Sequence, residues 1–166
     1  MGSMQEDAMV KRTSLEKAEC PIARSLDVFG DWWSLLVIRD AFLGIRRFSE
    51  FQKSIGLAKN ILTVRLRALV DHGILKMAPA SDGSAYQEYV LTPKGRGVFP
   101  VLVALRQWSE EFSSDGGGFS TLLVDRHKGR PVRKLEIRAD DGRLLADGDT
   151  EVRPNPAIKR RRRLSA

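Results

Sequence analysis

The sequence predicts a mainly helical chain with a small β component: a winged helix-turn-helix domain followed by a small β-rich C-terminal extension. Three observations predict it. Residues 48–73 form two short stretches with apolar residues at helical spacing, broken by Gly56. Two short β-like runs follow at once, separated by turn-forming residues. Positive charge is also localised: segments 1–43, 44–77, 78–118, 119–158 and 159–166 carry −2, +5, −2, +1 and +5 of the total +7. A basic patch concentrated on one folded element is the electrostatic footprint of a phosphate-backbone binder, although a solvated face has the same composition.

Cys20-Pro21 opens a short helix through Ile22, Leu26 and Phe29, with Pro at its first position and Gly30 just past its end. Residues 31–43 place Trp32, Trp33, Leu35, Leu36, Val37 and Ile38 around nearly the whole circumference, as in a helix buried at the centre of a core. Phe48, Phe51 and Ile55 stripe the next helix. Asn60 is expected to cap the one after it, whose inward stripe is Ile61, Leu62, Leu66, Leu69 and Val70 and whose end is Gly73. The opposite side presents Asn60, Thr63, Val64 and Arg67, residue types that reach base edges in a major groove. Arg46, Arg47, Lys53, Lys59, Arg65 and Lys76 are the candidate phosphate contacts.

Residues 74–78 and 86–91 read as the strands of a hairpin whose tip has Asp82 and no Lys or Arg. Thr92-Pro93 starts a final helix with an apolar stripe of Val98, Leu102, Leu105, Trp108 and Phe112, kinked at Pro100, that either folds back or pairs with a second copy. Residues 121–124 and 135–138 read as strands. The domain boundaries expected are an arm at 1–19 that opens with an expression scar, a DNA-binding and dimerisation domain at 20–114, a Gly-rich linker at 115–118, the β extension at 119–156 and a disordered basic tail at 157–166.

Other classes find little support. No apolar run approaches the ~18 residues of a membrane span and no charged-then-apolar leader opens the chain, which leads us to expect a cytoplasmic, nucleoid-associated protein. One cysteine and two histidines make no metal cluster, and no cofactor is expected. No nucleophile with its base, phosphate loop or carboxylate pair stands at a telling spacing, so catalysis is not expected. The competing function is a nonspecific nucleic-acid-binding basic protein.

From Cys20 to Phe112 the chain resembles the HxlR family of bacterial winged-helix transcriptional regulators. The resemblance rests on Cys20-Pro21, Gly30-Asp31-Trp32-Trp33-Ser34-Leu35-Leu36, Arg46-Arg47-Phe48-Ser49-Glu50-Phe51, Ile61-Leu62-Thr63-Val64-Arg65-Leu66-Arg67, Glu88-Tyr89-Val90-Leu91-Thr92-Pro93-Lys94-Gly95 and Trp108. It implies a non-catalytic homodimer that binds double-stranded DNA, here expected to be a repressor on an inverted-repeat operator. Cys20 matches the position at which some relatives sense oxidants, and a thiolate there would sit at the positive end of a helix dipole; a small space-filling residue is the other reading. Trp32, Trp33, Trp108 and Phe112 are either plain core or the lining of a pocket for a small aromatic effector, with Trp32 the member most indicative of a pocket. Longer members carry a zinc-ribbon-like tail; residues 127–131 and 139–142 resemble its turns without its cysteines, so no metal is expected.

Overall fold

The computed structural model describes residues 14–113 and 118–158. The residues expected to be an expression scar, most of the expected linker and the block Lys159–Arg163 lie outside these residues. The chain divides into two compact units, Met1–Arg106 and Gln107–Ala166, and each is treated by itself below.

In the first unit, α1 (Pro21–Phe29) and α2 (Trp32–Phe42) meet at Gly30-Asp31. Asp31 caps α2: its carboxylate accepts from the Ser34 amide over 3.0 Å and from the Ser34 hydroxyl over 2.6 Å. Val37 and Ile38 are wholly buried, so α2 does supply the centre of the core, but only along one stripe. Trp32 is 73% exposed and Leu43, the C-cap, also faces out, because both positions lie more than about 100° around the helix from the Val37 and Ile38 stripe. The expected packing role of α1 is likewise limited. None of its residues is fully buried, and Ile22 and Leu26 are exposed while Val28 and Phe29 lean on the core.

Helices α3 (Phe48–Ile55) and α4 (Lys59–Asp71) form the helix-turn-helix. Gly56 takes φ +76°, a left-handed conformation in which a Cβ is strained, and so permits the sharp reversal. Leu57 then turns inward and α4 begins at once, with Ala58 at its N-cap and no side-chain cap bond. Asn60 therefore lies inside the first turn and is not the cap; burial of Leu57 brings the helix start forward. Leu62, Leu66 and Leu69 reach zero exposure, whereas Ile61, expected inward, is 39% exposed because a position directly before Leu62 points about 100° away from the stripe.

Strands β1 (Leu75–Pro79) and β2 (Gln87–Leu91) pair antiparallel with Leu75 opposite Leu91, Met77 opposite Tyr89 and Pro79 opposite Gln87. The Tyr89 amide also donates to the Arg46 carbonyl over 2.9 Å, which ties the segment before α3 to the free side of β2. Thr92 caps the short helix α5 (Pro93–Arg96) through the Gly95 amide, as expected, and its hydroxyl donates to the Gly73 carbonyl over 2.6 Å.

The last helix differs from expectation in its break. The chain leaves helical pairing at Gly97-Val98 and resumes as α6 (Phe99–Phe112), so Pro100 lies in the first turn of a new helix and kinks nothing. A first-turn amide has no intrahelical acceptor, which makes this position tolerant of proline.

In the second unit, Trp108 and Phe112 near the end of α6 pack ring to ring at 5.9 Å. The two strands expected beyond residue 118 reduce to isolated bridges, Val124 with Pro131 and Arg138 with Leu144. Each segment is interrupted within a few residues by a turn, too soon for a ladder to lengthen. A single 3-10 turn occupies Asp147–Asp149.

Candidate nucleic-acid interface

One exposed strip runs down α4. Asn60, Thr63, Val64 and Arg67 are all exposed and recur at the spacing of neighbours on a helix surface, opposite the Leu62, Leu66 and Leu69 stripe. The sequence placed these four together, and the structure brings them onto one face. The Thr63 hydroxyl donates to the Lys59 carbonyl over 2.8 Å, which leaves its oxygen lone pairs and methyl group outward.

The six candidate phosphate cations separate into two sets. Lys53, Lys59 and Lys76 are exposed and make no ion pair among the described residues, as is also true of Arg67. The other three face acids. Arg65 Nε lies 3.3 Å from Asp31 Oδ1 without an aligned hydrogen bond. Arg46 reaches Glu88 at 3.4 Å, and Arg47 contacts both Asp82 and, at 3.8 Å, Glu88.

Glu88 and Asp82 were not among the candidate site residues, and they organise this corner. Glu88 is only 4% exposed, and Ser81 as well as Arg46 donates to it. Asp82 accepts the Arg47 guanidinium at the tip of the hairpin, while Arg47 also lies 5.7 Å from the Tyr86 ring centre. Asp82 titrates at about 2, below its ordinary 3.8: the Ser84 hydroxyl beside it, the Ser84 amide bonded to Oδ1 over 3.0 Å and Arg47 all favour the carboxylate, the last two through aligned bonds. Glu50 is also lowered, by the Arg47 and then the Arg46 amides that it accepts over 3.1 and 3.3 Å. The one signal in the sequence was an acidic wing tip in an otherwise basic motif.

The aromatic candidates fall into pairs. Trp32 and Trp33 meet edge to face at 5.9 Å, with Trp33 leaning on the core and Trp32 open to solvent. Trp108 and Phe112, both exposed, form the second pair within their own unit. Cys20 is exposed and stands at the N-cap of α1.

A short turn between two helices, an exposed polar and basic face on the second of them, and a hairpin directly after it define a winged helix-turn-helix DNA-binding domain. Residues 28–116 match the HxlR-like helix-turn-helix family. An uncharacterized HTH-type transcriptional regulator of Mycobacterium tuberculosis is 38% identical over 138 residues, which span 83% of this chain and 87% of that one. The solved structure of PA1607, assigned as a transcription factor, superposes with a TM-score of 0.81 at 55% identity over 86% of this chain and 100% of that chain. The redox regulator HypR in its oxidized form aligns at a TM-score of 0.50 and 30% identity, over 55% of this chain and 95% of that chain. This chain belongs to the HxlR family and is a transcriptional regulator of helix-turn-helix type. No helix among the described residues is long and apolar enough to cross a membrane.

Proposed function

We propose that the protein is a homodimeric, sequence-specific repressor that binds an inverted-repeat operator. Asn60, Thr63, Val64 and Arg67 read base edges, and Lys53, Lys59 and Lys76 hold phosphates. The observation that carries this reading is the single exposed face of α4, where hydrogen-bonding and small side chains stand beside cations with no acid partner among the described residues. Arg46, Arg47 and Arg65 are assigned instead to fixing the motif, since each already has an acid partner. Withdrawing both arginines from Glu88 would leave a buried carboxylate unpaired, at a cost of about 3–5 kcal/mol. The domain proposed for reading and pairing is 20–114, with the remainder as an appendage.

Dimerisation is supported by apolar side chains that α1 and α6 leave uncovered: Ile22 and Leu26 on the former, Leu105, Trp108 and Phe112 on the latter. A second copy would cover them and set two recognition helices about one DNA turn apart, ~34 Å. Control of binding is assigned to oxidation of the exposed Cys20 thiol or to a small aromatic ligand at Trp32, whose indole is solvated while its neighbour Trp33 is packed.

Selection of bound duplexes from a random pool at ~150 mM salt tests the whole reading, since screening suppresses purely electrostatic binding. Enrichment of an inverted repeat with half-sites about 10 base pairs apart is expected. Retention of all sequences alike would replace it with nonspecific nucleic-acid binding.

A further inference from the structure

The cations of residues 118–158 fall into two groups. Residues 118–158 contain eight Lys and Arg. Four of them have acid partners: Lys134 with Glu111 at 2.5 Å, Arg138 with Glu136 at 2.6 Å, Arg143 with Asp141 at 3.7 Å, and Arg153 with Glu151. Arg126, Lys128, Arg130 and Arg133 have none among the described residues, and all four are exposed. These unpaired cations lie within residues 126–133, a stretch with no Asp or Glu.

Their backbone is held in place. Asp125 accepts the His127 and Lys128 amides on one carboxylate oxygen, each over 2.9 Å, and its carbonyl accepts the Gly129 amide. The Asp125 amide donates to the Arg130 carbonyl, and Val124 bridges Pro131, so the segment closes as a tight hairpin. Gln107 on α6 then grips the outgoing chain from both sides, donating to the Arg133 carbonyl over 2.9 Å and accepting the Leu135 amide over 2.8 Å. The acids flanking these cations in sequence are Asp125, which accepts backbone amides, and Glu136, which pairs with Arg138. A solvated surface ordinarily mixes its signs, as residues 134–153 do; the hairpin concentrates one sign on a preordered turn.

We propose that the hairpin at residues 124–131, with Arg133, is a second binding element for the phosphate backbone of duplex DNA, outside the recognition helix. It rests on the DNA-binding function proposed above. Phosphates are the ligand chemistry because four exposed cations fall within eight residues without an acid partner among the described residues, and the apolar side chains beside them, Val124 and Val132, are small and little more than a third exposed, unlike the large aromatic anchors of protein interfaces. Ordering of the turn before binding reduces the entropic cost of association. The hairpin carries no base-reading geometry, so its contribution is sequence-blind.

The test is the salt dependence of binding by the full chain to a selected duplex and to a scrambled one, followed by fluorescence anisotropy. The variant Arg126→Gln/Lys128→Gln/Arg130→Gln/Arg133→Gln is compared with Lys134→Gln/Arg138→Gln/Arg143→Gln/Arg153→Gln, which removes the same four charges from paired positions. Exposed pairs contribute little stability, so both variants are expected to fold. The hairpin variant should lower the slope of log K against log salt by about 0.9 for each phosphate it no longer neutralises, or roughly 2 to 4 in all, and weaken low-salt binding at least tenfold on both duplexes. The control should keep the wild-type slope. An unchanged slope in the hairpin variant, or an equal decrease in the control, overturns the proposal. Sequence preference is a separate readout: if the wild type shows none while the hairpin variant still flattens the slope, the hairpin stands and sequence-specific reading falls.

Discussion

Arg47, the residue preceding the first helix of the motif, binds Asp82 at the tip of the wing, thirty-five positions later in the chain. The wing is thereby fastened to the start of α3 by charge, and the fastening is backed by the buried carboxylate of Glu88. Because Asp82 is held at about 2, below its ordinary 3.8, its contribution to the folded wing is complete above pH ~4 and is lost as the pH falls through 2. The Ser84 amide proton, which is bonded to Asp82, reports this directly by NMR. Its shift should titrate with a midpoint near 2; a midpoint at 3.8 would show Asp82 to be unattached.

Neutralising that ion pair should loosen the wing without touching the core. Asp82→Asn and Arg47→Ala are expected to speed hydrogen exchange at Ala80, whose amide closes the loop onto the Tyr86 carbonyl over 3.0 Å. The melting temperature should shift by only a few degrees. Ala80 exchange equal to wild type in both variants would mean that the ion pair positions nothing.

On DNA, Lys53 and Arg67 should separate into two behaviours. Lys53→Ala removes one sequence-blind phosphate contact, lowering the salt slope by about 0.9 with the operator preference intact. Arg67→Ala should cost roughly 1–3 kcal/mol of discrimination between operator and mismatched duplex. Equal weakening of all duplexes by both variants would contradict the division of roles.

Gly95 supplies a packing prediction. A Cβ there would lie 2.2 Å from the Ile74 carbonyl oxygen and 3.0 Å from Leu91 Cδ2, so Gly95→Ala must push α5 away from the β1 side of the sheet. A destabilisation of about 1–3 kcal/mol is expected, read as a drop in melting temperature of roughly 4–8 °C per kcal/mol. A melting temperature equal to wild type would show the junction to be compliant.

With one cysteine in the chain, any protein disulfide must join two copies. Diamide treatment is expected to give a covalent dimer on non-reducing gels and at least tenfold weaker operator binding, and Cys20→Ser should abolish both. An oxidant response that persists in the variant would move control to another group, with Trp32 and an aromatic ligand next in line.

Much of the architecture can be read locally. Pro21 and Gly30 bracket α1, Thr92-Pro93 starts α5, and the recurrence of Leu62, Leu66 and Leu69 orients α4, each through an effect confined to a turn or two of chain. The face bearing Asn60, Thr63, Val64 and Arg67 follows from the same periodicity. What was not legible depends on partners far apart in sequence. Arg46 and Arg47 look like free cations until the fold brings Glu88, forty-two residues beyond Arg46, beneath them. Asn60 has the composition of a cap, yet inward packing of Leu57 starts the helix before it. The extension's alternating residues suggest strands, but turns near Gly129 and Gly142 leave room for single bridges alone.

The two ends of α4 are held unequally. At its C-terminal end, Lys94 donates to the His72 carbonyl over 2.7 Å while Thr92 holds those of Gly73 and Ile74; at the other end no side chain caps the first turn. A tilt of α4 about residues 72–74 would move its N-terminal end most, against the packing of Leu57 and Leu62. Over a length of about 19 Å, a swing of about 5° carries Asn60 and Lys59 through roughly 1.7 Å. That is enough to take a side chain out of hydrogen-bonding range of a base edge while Leu69, near the pivot, hardly stirs.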